Sequence, residues 1–167
     1  MTDWDRIVLS YGPMVFGAVW RILGHAADTE DVVQDVFLEA YRLRAAGRVR
    51  QIGGLLRRLA ACRALDRLRQ RRRWSPHTLD GLAVASPDDG PEEAAIGNEL
   101  AGRLREAIGR LPPREAEVFC LRCFEDLSYQ QIADALHITS GAAAAALHKA
   151  RSKLEALLAE ANTRNGP

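Results

Sequence analysis

The sequence predicts an all-α protein made of two small helical modules joined by a connector. Three observations carry that expectation. Apolar residues recur at helical spacing on both sides of the middle of the chain, and no alternating run of β-branched residues is long enough for a strand. Glycine and proline thin out except between Trp74 and Pro91, where Pro76, Gly81, Pro87, Gly90 and Pro91 cluster with Ser86, Asp88 and Asp89. The 167 residues are 47% apolar and 27% charged, the balance of a folded globular chain. The expected modules are residues 1–73 and 97–161, with 74–96 as the connector. Modules this small bury only about 60% of their unfolded surface, so each core is marginal and a bound partner adds stability.

Charge is distributed unevenly. Residues 1–41 hold two basic and seven acidic side chains, whereas residues 42–73 hold twelve arginines against the single acid Asp66. That segment alone carries +11 in a chain of net charge +1, which points to a polyanionic partner. Other classes are disfavoured. The longest uncharged apolar stretch, residues 12–20, is interrupted by Pro13 and falls far short of the roughly 20 residues that cross a bilayer. No membrane insertion is expected. The acidic start, with Asp3 and Asp5, is unlike an export signal, so the expected location is the cytoplasm.

The three cysteines, Cys62, Cys120 and Cys123, are an odd number in such a chain and are expected to be reduced. Cys120 and Cys123 form a Cys-x-x-Cys pair, but they lie in an apolar helical run, without a second pair and with His137 and His148 at no ligand spacing. Packing is their expected role. His25 and His77 have no catalytic companions, and nothing resembles a nucleophile with its base or a phosphate-cradling loop. The chain is therefore expected not to be an enzyme, with no cofactor, no metal and no small-molecule substrate.

The helical stretches follow in order. Asp28 is the expected N-cap of the first, with Glu30 and Asp31 in its first turn and Val33, Val36, Phe37, Ala40 and Tyr41 facing a core. Asp31, Gln34, Asp35 and Leu38 fall on another face, either a solvated strip or a contact surface. From Leu55 the second places Leu55, Leu59 and Cys62 on one face and Arg63, Arg67 and Arg71 on another, where phosphate contact is their natural use. Asp66 is expected to pair locally with Arg63 or Arg69. After the connector, Leu100, Leu104, Ile108 and Leu111 make a third stripe, ended by Pro112 and Pro113, and Pro113 suits the first turn of the next helix. Ser128 and Gln131 form a capping-box signature, His137, Ile138 and Thr139 a short break, and Thr139 caps a last helix that runs through Leu158 into a frayed tail. Helix, three-residue turn and helix make a helix-turn-helix.

These residues resemble the extracytoplasmic-function sigma factors, promoter-recognition subunits of bacterial RNA polymerase. Residues 28–42 (DTEDVVQDVFLEAYR) are similar to the family's polymerase-binding helix and residues 63–69 (RALDRLR) to its promoter-reading helix. Residues 111–119 (LPPREAEVF), 127–136 (LSYQQIADAL) and 147–151 (LHKAR) resemble its second domain, in family order. The resemblance implies that the chain binds core RNA polymerase and promoter DNA, and that an anti-sigma factor controls it. It assigns polymerase binding to Asp31, Gln34, Asp35 and Leu38. It assigns the minus-ten element to Arg48, Arg50, Gln51, Arg63, Arg67 and Arg71, with residues 48–54 as the loop that captures a flipped base. The minus-thirty-five element falls to Thr139, Ser140, Ala142, Ala143, Ala146, His148, Lys149 and Arg151.

The chain departs from the family pattern in three places. Five alanines, residues 142–146, stand where relatives place polar groups, so weak base readout is expected, because alanine cannot make the bidentate pairs that discriminate bases. Ile52 and Leu55 replace frequent aromatics and Cys62 a common Asn, which reduces stacking on unpaired bases. His137 occupies a turn position where Gly is frequent. Two alternatives share the same fold: a helix-turn-helix DNA-binding regulator without the polymerase grip, and a sigma-like decoy that binds an anti-sigma factor.

Overall fold

A computed structural model describes the backbone of residues 1–74, 91–164 and 166, and every regular element in it is a helix. In order these are α1 (Asp3–Leu23), α2 (Ala26–Ala45), α3 (Ile52–Trp74), α4 (Pro91–Gly109), α5 (Pro113–Cys123), α6 (Tyr129–Leu136) and α7 (Ser140–Arg164). Residues 75–90, most of the expected connector, lie outside the described residues. Of its remainder, Trp74 ends α3 and residues 91–96 already belong to α4.

Local chemistry sets most of the boundaries. Thr2 opens α1 with a capping box, its hydroxyl accepting the Asp5 N–H while the Asp5 carboxylate accepts the Thr2 N–H. Hydrogen bonds that it accepts from the Thr2 N–H and the Thr2 hydroxyl hold the Asp5 carboxyl below the usual carboxylate range. Gly24 ends α1 in the left-handed conformation, at φ 58°. The N-cap of α2 is His25, whose Nδ1 accepts the Asp28 N–H at 3.2 Å, and not Asp28 as the sequence suggested. An aromatic ring nitrogen is an unusual cap, and it leaves the Asp28 carboxylate free for other partners. Pro113 opens α5 and the Ser128–Gln131 capping box opens α6, both as expected. His137 adopts the left-handed conformation at φ 55°, so the turn tolerates a side chain where Gly is frequent. Thr139 caps α7 by accepting the Ala142 N–H at 3.0 Å. That helix runs six residues past Leu158, to Arg164, so most of the expected tail is helical.

The core is built around α3. Leu56, Leu59, Ala60, Ala61, Ala64, Leu65 and Leu68 are all buried, and the three alanines let neighbours approach from several sides. Helices α1 and α2 pack on it from the first module and α4, α5 and α6 from the second. One apolar cluster therefore runs from Ile7 to Leu154, where sequence reasoning expected two separate cores. The two modules also share polar contacts, Arg21 to Glu125 at 2.7 Å and the Cys62 thiol to the Glu117 carboxylate at 3.4 Å. Arg105 of α4 is 9% exposed, and its guanidinium lies flat over Gly24, where a side chain would collide with it. Its Nε and Nη1 find no hydrogen-bond partner among the described residues. Burial, with Arg71 beside it, pulls its pKa down.

Two expected core positions are exposed. Tyr41, 52% exposed, stands at the edge of α2 with Trp4 packed edge-on against it, and Leu100, 58% exposed, lies on the open side of α4.

Candidate nucleic-acid interface

The acidic strip is a real surface. Asp31, Gln34, Asp35 and Leu38 are all exposed on one face of α2, while Val32, Val36 and Ala40 fill the core from the opposite face. Two other carboxylates of this helix behave differently. Asp28 accepts a hydrogen bond from Arg67 at 3.0 Å and forms an ion pair with Arg71 at 3.3 Å, and Glu39 accepts the Arg63 Nε at 2.8 Å. Glu39 raises the Arg63 pKa, the direction a carboxylate partner imposes. Asp31 reaches Arg67 only at 3.8 Å, and Asp35 makes no ion pair among the described residues.

The arginine stripe is consequently occupied. Arg63, Arg67 and Arg71, expected to meet phosphates, form a ladder of ion pairs from α3 to α2, and Arg71 also donates to the Leu23 carbonyl at 3.4 Å. Asp66 pairs with Arg63 at 3.8 Å and Arg69 at 3.7 Å, which meets the local-pairing expectation in both its forms. The four-residue spacing was read correctly as one helix face. What it could not disclose is that α2 lies against that face.

Besides Arg42, Arg72 and Arg73, four arginines of the basic segment make no ion pair among the described residues: Arg48 and Arg50 in the turn before α3, and Arg57 and Arg58 in its second turn. Together with Gln51 and Leu55 they line a groove of about 790 Å³. Its other wall comes from α6 and the turn after it, through Gln131, Asp134, His137 and Ile138. Because α3 begins at Ile52, the non-helical part of the expected loop 48–54 shrinks to Arg48, Val49, Arg50 and Gln51. Arg57 and Arg58 were missed because they fall off the four-residue ladder; their signal was the Arg-Arg pair itself, one turn inside an arginine-rich segment.

In the helix-turn-helix the alanine run has two faces. Ala143 is fully buried and Ala146 is 9% exposed, so neither can touch a base edge, and their assignment to DNA contact is corrected here. They extend the stripe Ala143, Ala146, Leu147, Ala150 and Leu154, whose helical spacing was visible in the sequence. Thr139, Ala142, His148, Lys149 and Arg151 are exposed, and the half-buried Ser140 donates to the Gln130 side chain at 3.0 Å. Burial pushes the Cys120 thiol up, and burial with Glu117 raises that of Cys62 to about 12, so both stay protonated. No set of three or more metal-ligating side chains gathers among the described residues, and no described helix is long and apolar enough to cross a membrane.

Two protein families match in the order of the modules: sigma-70 region 2 over residues 7–74 and sigma-70 region 4 over residues 101–154. The ECF RNA polymerase sigma factor SigD of Mycobacterium tuberculosis is 32% identical over 152 residues, which cover 89% of this chain and 70% of that protein. The chain belongs to the ECF sigma factors. The ECF RNA polymerase sigma factor SigE of Mycolicibacterium smegmatis is 28% identical over 96% of this chain and 63% of its own length, and SigW of Bacillus subtilis is 28% identical over 89% and 84%. This sigma factor thus spans just under two thirds of the length of SigE. Its fold is similar to the sigma factor RpoE of Bartonella quintana, solved in complex with the anti-sigma factor NepR, with a TM-score of 0.60, 17% identity and coverage of 95% of this chain and 98% of that one. Sigma factors are not enzymes.

Proposed function

We propose that this sigma factor binds core RNA polymerase through Asp31, Gln34, Asp35 and Leu38 and directs it to promoters in the cytoplasm. The observation that carries the reading is the division of labour on α2. Its inward carboxylates are spent on holding α3, while the outward strip is left open, with one apolar side chain among the acids. A charged rim around an apolar anchor is the composition of a protein-binding site. The basic groove beside the start of α3 would take the opened minus-ten strand. Extruding a base costs a few kcal/mol, recovered from pocket contacts and strand electrostatics.

The second module would lay α7 in the major groove of the minus-thirty-five element. With only Ala142 and Ala145 of the run pointing outward, base readout there is weak and contact rests on His148, Lys149, Arg151 and DNA shape. The sigma factor in the similar solved structure is bound to an anti-sigma factor, and control of that kind is proposed here too. Run-off transcription with core polymerase and this chain tests the reading. Initiation from a defined start site is expected; a folded chain that leaves core polymerase silent on every promoter of its genome would overturn it and favour the decoy.

A further inference from the structure

Resting on the sigma-factor reading, we infer that Arg57 and Arg58, with Arg48 and Arg50, hold the phosphates of the opened strand, and that Arg63, Arg67 and Arg71 bind α2 instead of DNA. Two observations lead there independently. The first is ion pairing. Arg67 and Arg71 converge on Asp28, whose side chain is only 19% exposed, and Arg63 is held by Glu39. Turning Arg63 toward a phosphate would take the cation from Glu39, and turning Arg67 and Arg71 together would strip the partly desolvated Asp28 of both its guanidinium partners. An arginine already neutralised by a carboxylate also displaces few counterions when a phosphate comes near, so it adds little to the salt-dependent part of binding.

The second is placement. Arg57 and Arg58 are half-buried, which fixes their aliphatic stems, and their guanidiniums border the groove without a carboxylate partner among the described residues. The Arg57 guanidinium and the Tyr11 ring both lie over Gly53, 3.6 and 3.2 Å from where a Cβ would stand. A glycine at that point lets both settle against the first turn of α3. Side chains held in this way lose little freedom on binding. Arg48 and Arg50, exposed in the turn, continue the cationic edge of the groove. On the facing wall Asp134 is the carboxylate nearest in character to a phosphate, and its amide partner Gln130 leaves its charge unneutralised.

The experiment compares sigma factor variants assembled with core polymerase on a single-stranded minus-ten oligonucleotide, reading log affinity against log salt. Arg57→Gln and Arg58→Gln should each flatten the slope by about 0.7 and leave the melting temperature of the free protein unchanged. Arg67→Gln and Arg71→Gln should lower the melting temperature and leave the slope as in wild type. Arg63→Gln, at a more exposed pair, makes the same comparison if the Arg67 variant does not fold. If wild type binds and neither Arg57→Gln nor Arg58→Gln changes the slope, or if the folded Arg63, Arg67 or Arg71 variants flatten it, the assignment is wrong and the sigma-factor reading stands. If wild type assembles with neither polymerase nor oligonucleotide, both are wrong.

Discussion

Reversing Asp31 and Asp35 to arginine yields a folded protein that binds core polymerase at least about 100-fold more weakly and no longer supports initiation. The size follows from interface electrostatics. Truncating one member of a close, hydrogen-bonded charge pair costs about 2 to 5 kcal/mol, and reversal replaces attraction by repulsion at two positions. A loss of about 2.7 kcal/mol is already 100-fold. The fold should feel little, because both side chains are exposed and the Asp31 contact to Arg67 is a long, solvated one of 3.8 Å. Such surface changes usually stay within about 0.5 kcal/mol. Fluorescence anisotropy of labelled protein titrated with core polymerase measures the first effect, and a thermal melt the second. A helix-turn-helix regulator without the polymerase grip would keep its full activity, so the same pair of substitutions separates the two readings.

Tying the modules together should abolish promoter-directed initiation. Centres of the minus-ten and minus-thirty-five elements lie about 25 base pairs apart, about 85 Å along the duplex at 3.4 Å per pair. A chain of this length packed as one body has a radius of gyration of about 15 Å and is about 40 Å across. The packed arrangement, with α4, α5 and α6 resting on α3, is therefore too short to reach both elements, and α6 walls the groove the minus-ten strand would enter. Arg21 and Glu125 meet at 2.7 Å across the two modules and offer a place to lock them. In a Cys123→Ser background, Arg21→Cys with Glu125→Cys can be joined by a short, thiol-cleavable reagent. The remaining cysteines interfere little, since Cys120 is buried and burial holds the Cys62 thiol protonated, at a pKa of about 12. The linked protein should give no run-off product, and cleaving the linker should restore it. Full activity while linked would mean that the packed arrangement already satisfies the promoter.

Much of this architecture was legible in the residues. The Ser128–Gln131 box, Pro113 and Thr139 each act on a backbone N–H or a φ angle within a few residues, so sequence alone places α5, α6 and the start of α7. The outward strip on α2 was equally readable, because helical periodicity assigns faces even when it cannot say what covers them. What the sequence withheld depends on contacts between distant segments. Asp28 looked like a cap and serves as an anchor for Arg67 and Arg71, 39 and 43 residues further on. Tyr41 fits the apolar stripe of α2, yet it is 52% exposed, its ring covered on one side by Trp4 alone among the aromatic contacts. The arginine ladder, most suggestive of DNA as a pattern, proves the most committed to the protein's own carboxylates. The single core spanning both modules was hidden for the same reason: a connector rich in Pro and Gly marks where a chain changes direction, not whether its two sides later touch.

Permanganate reactivity of the minus-ten thymines, read on a promoter incubated with core polymerase and this sigma factor, tests the central claim most directly. The account predicts reactive, unpaired thymines that appear only when both proteins are present and disappear with the Asp31 and Asp35 reversals. A duplex that stays unreactive while the two proteins remain bound to each other would contradict it.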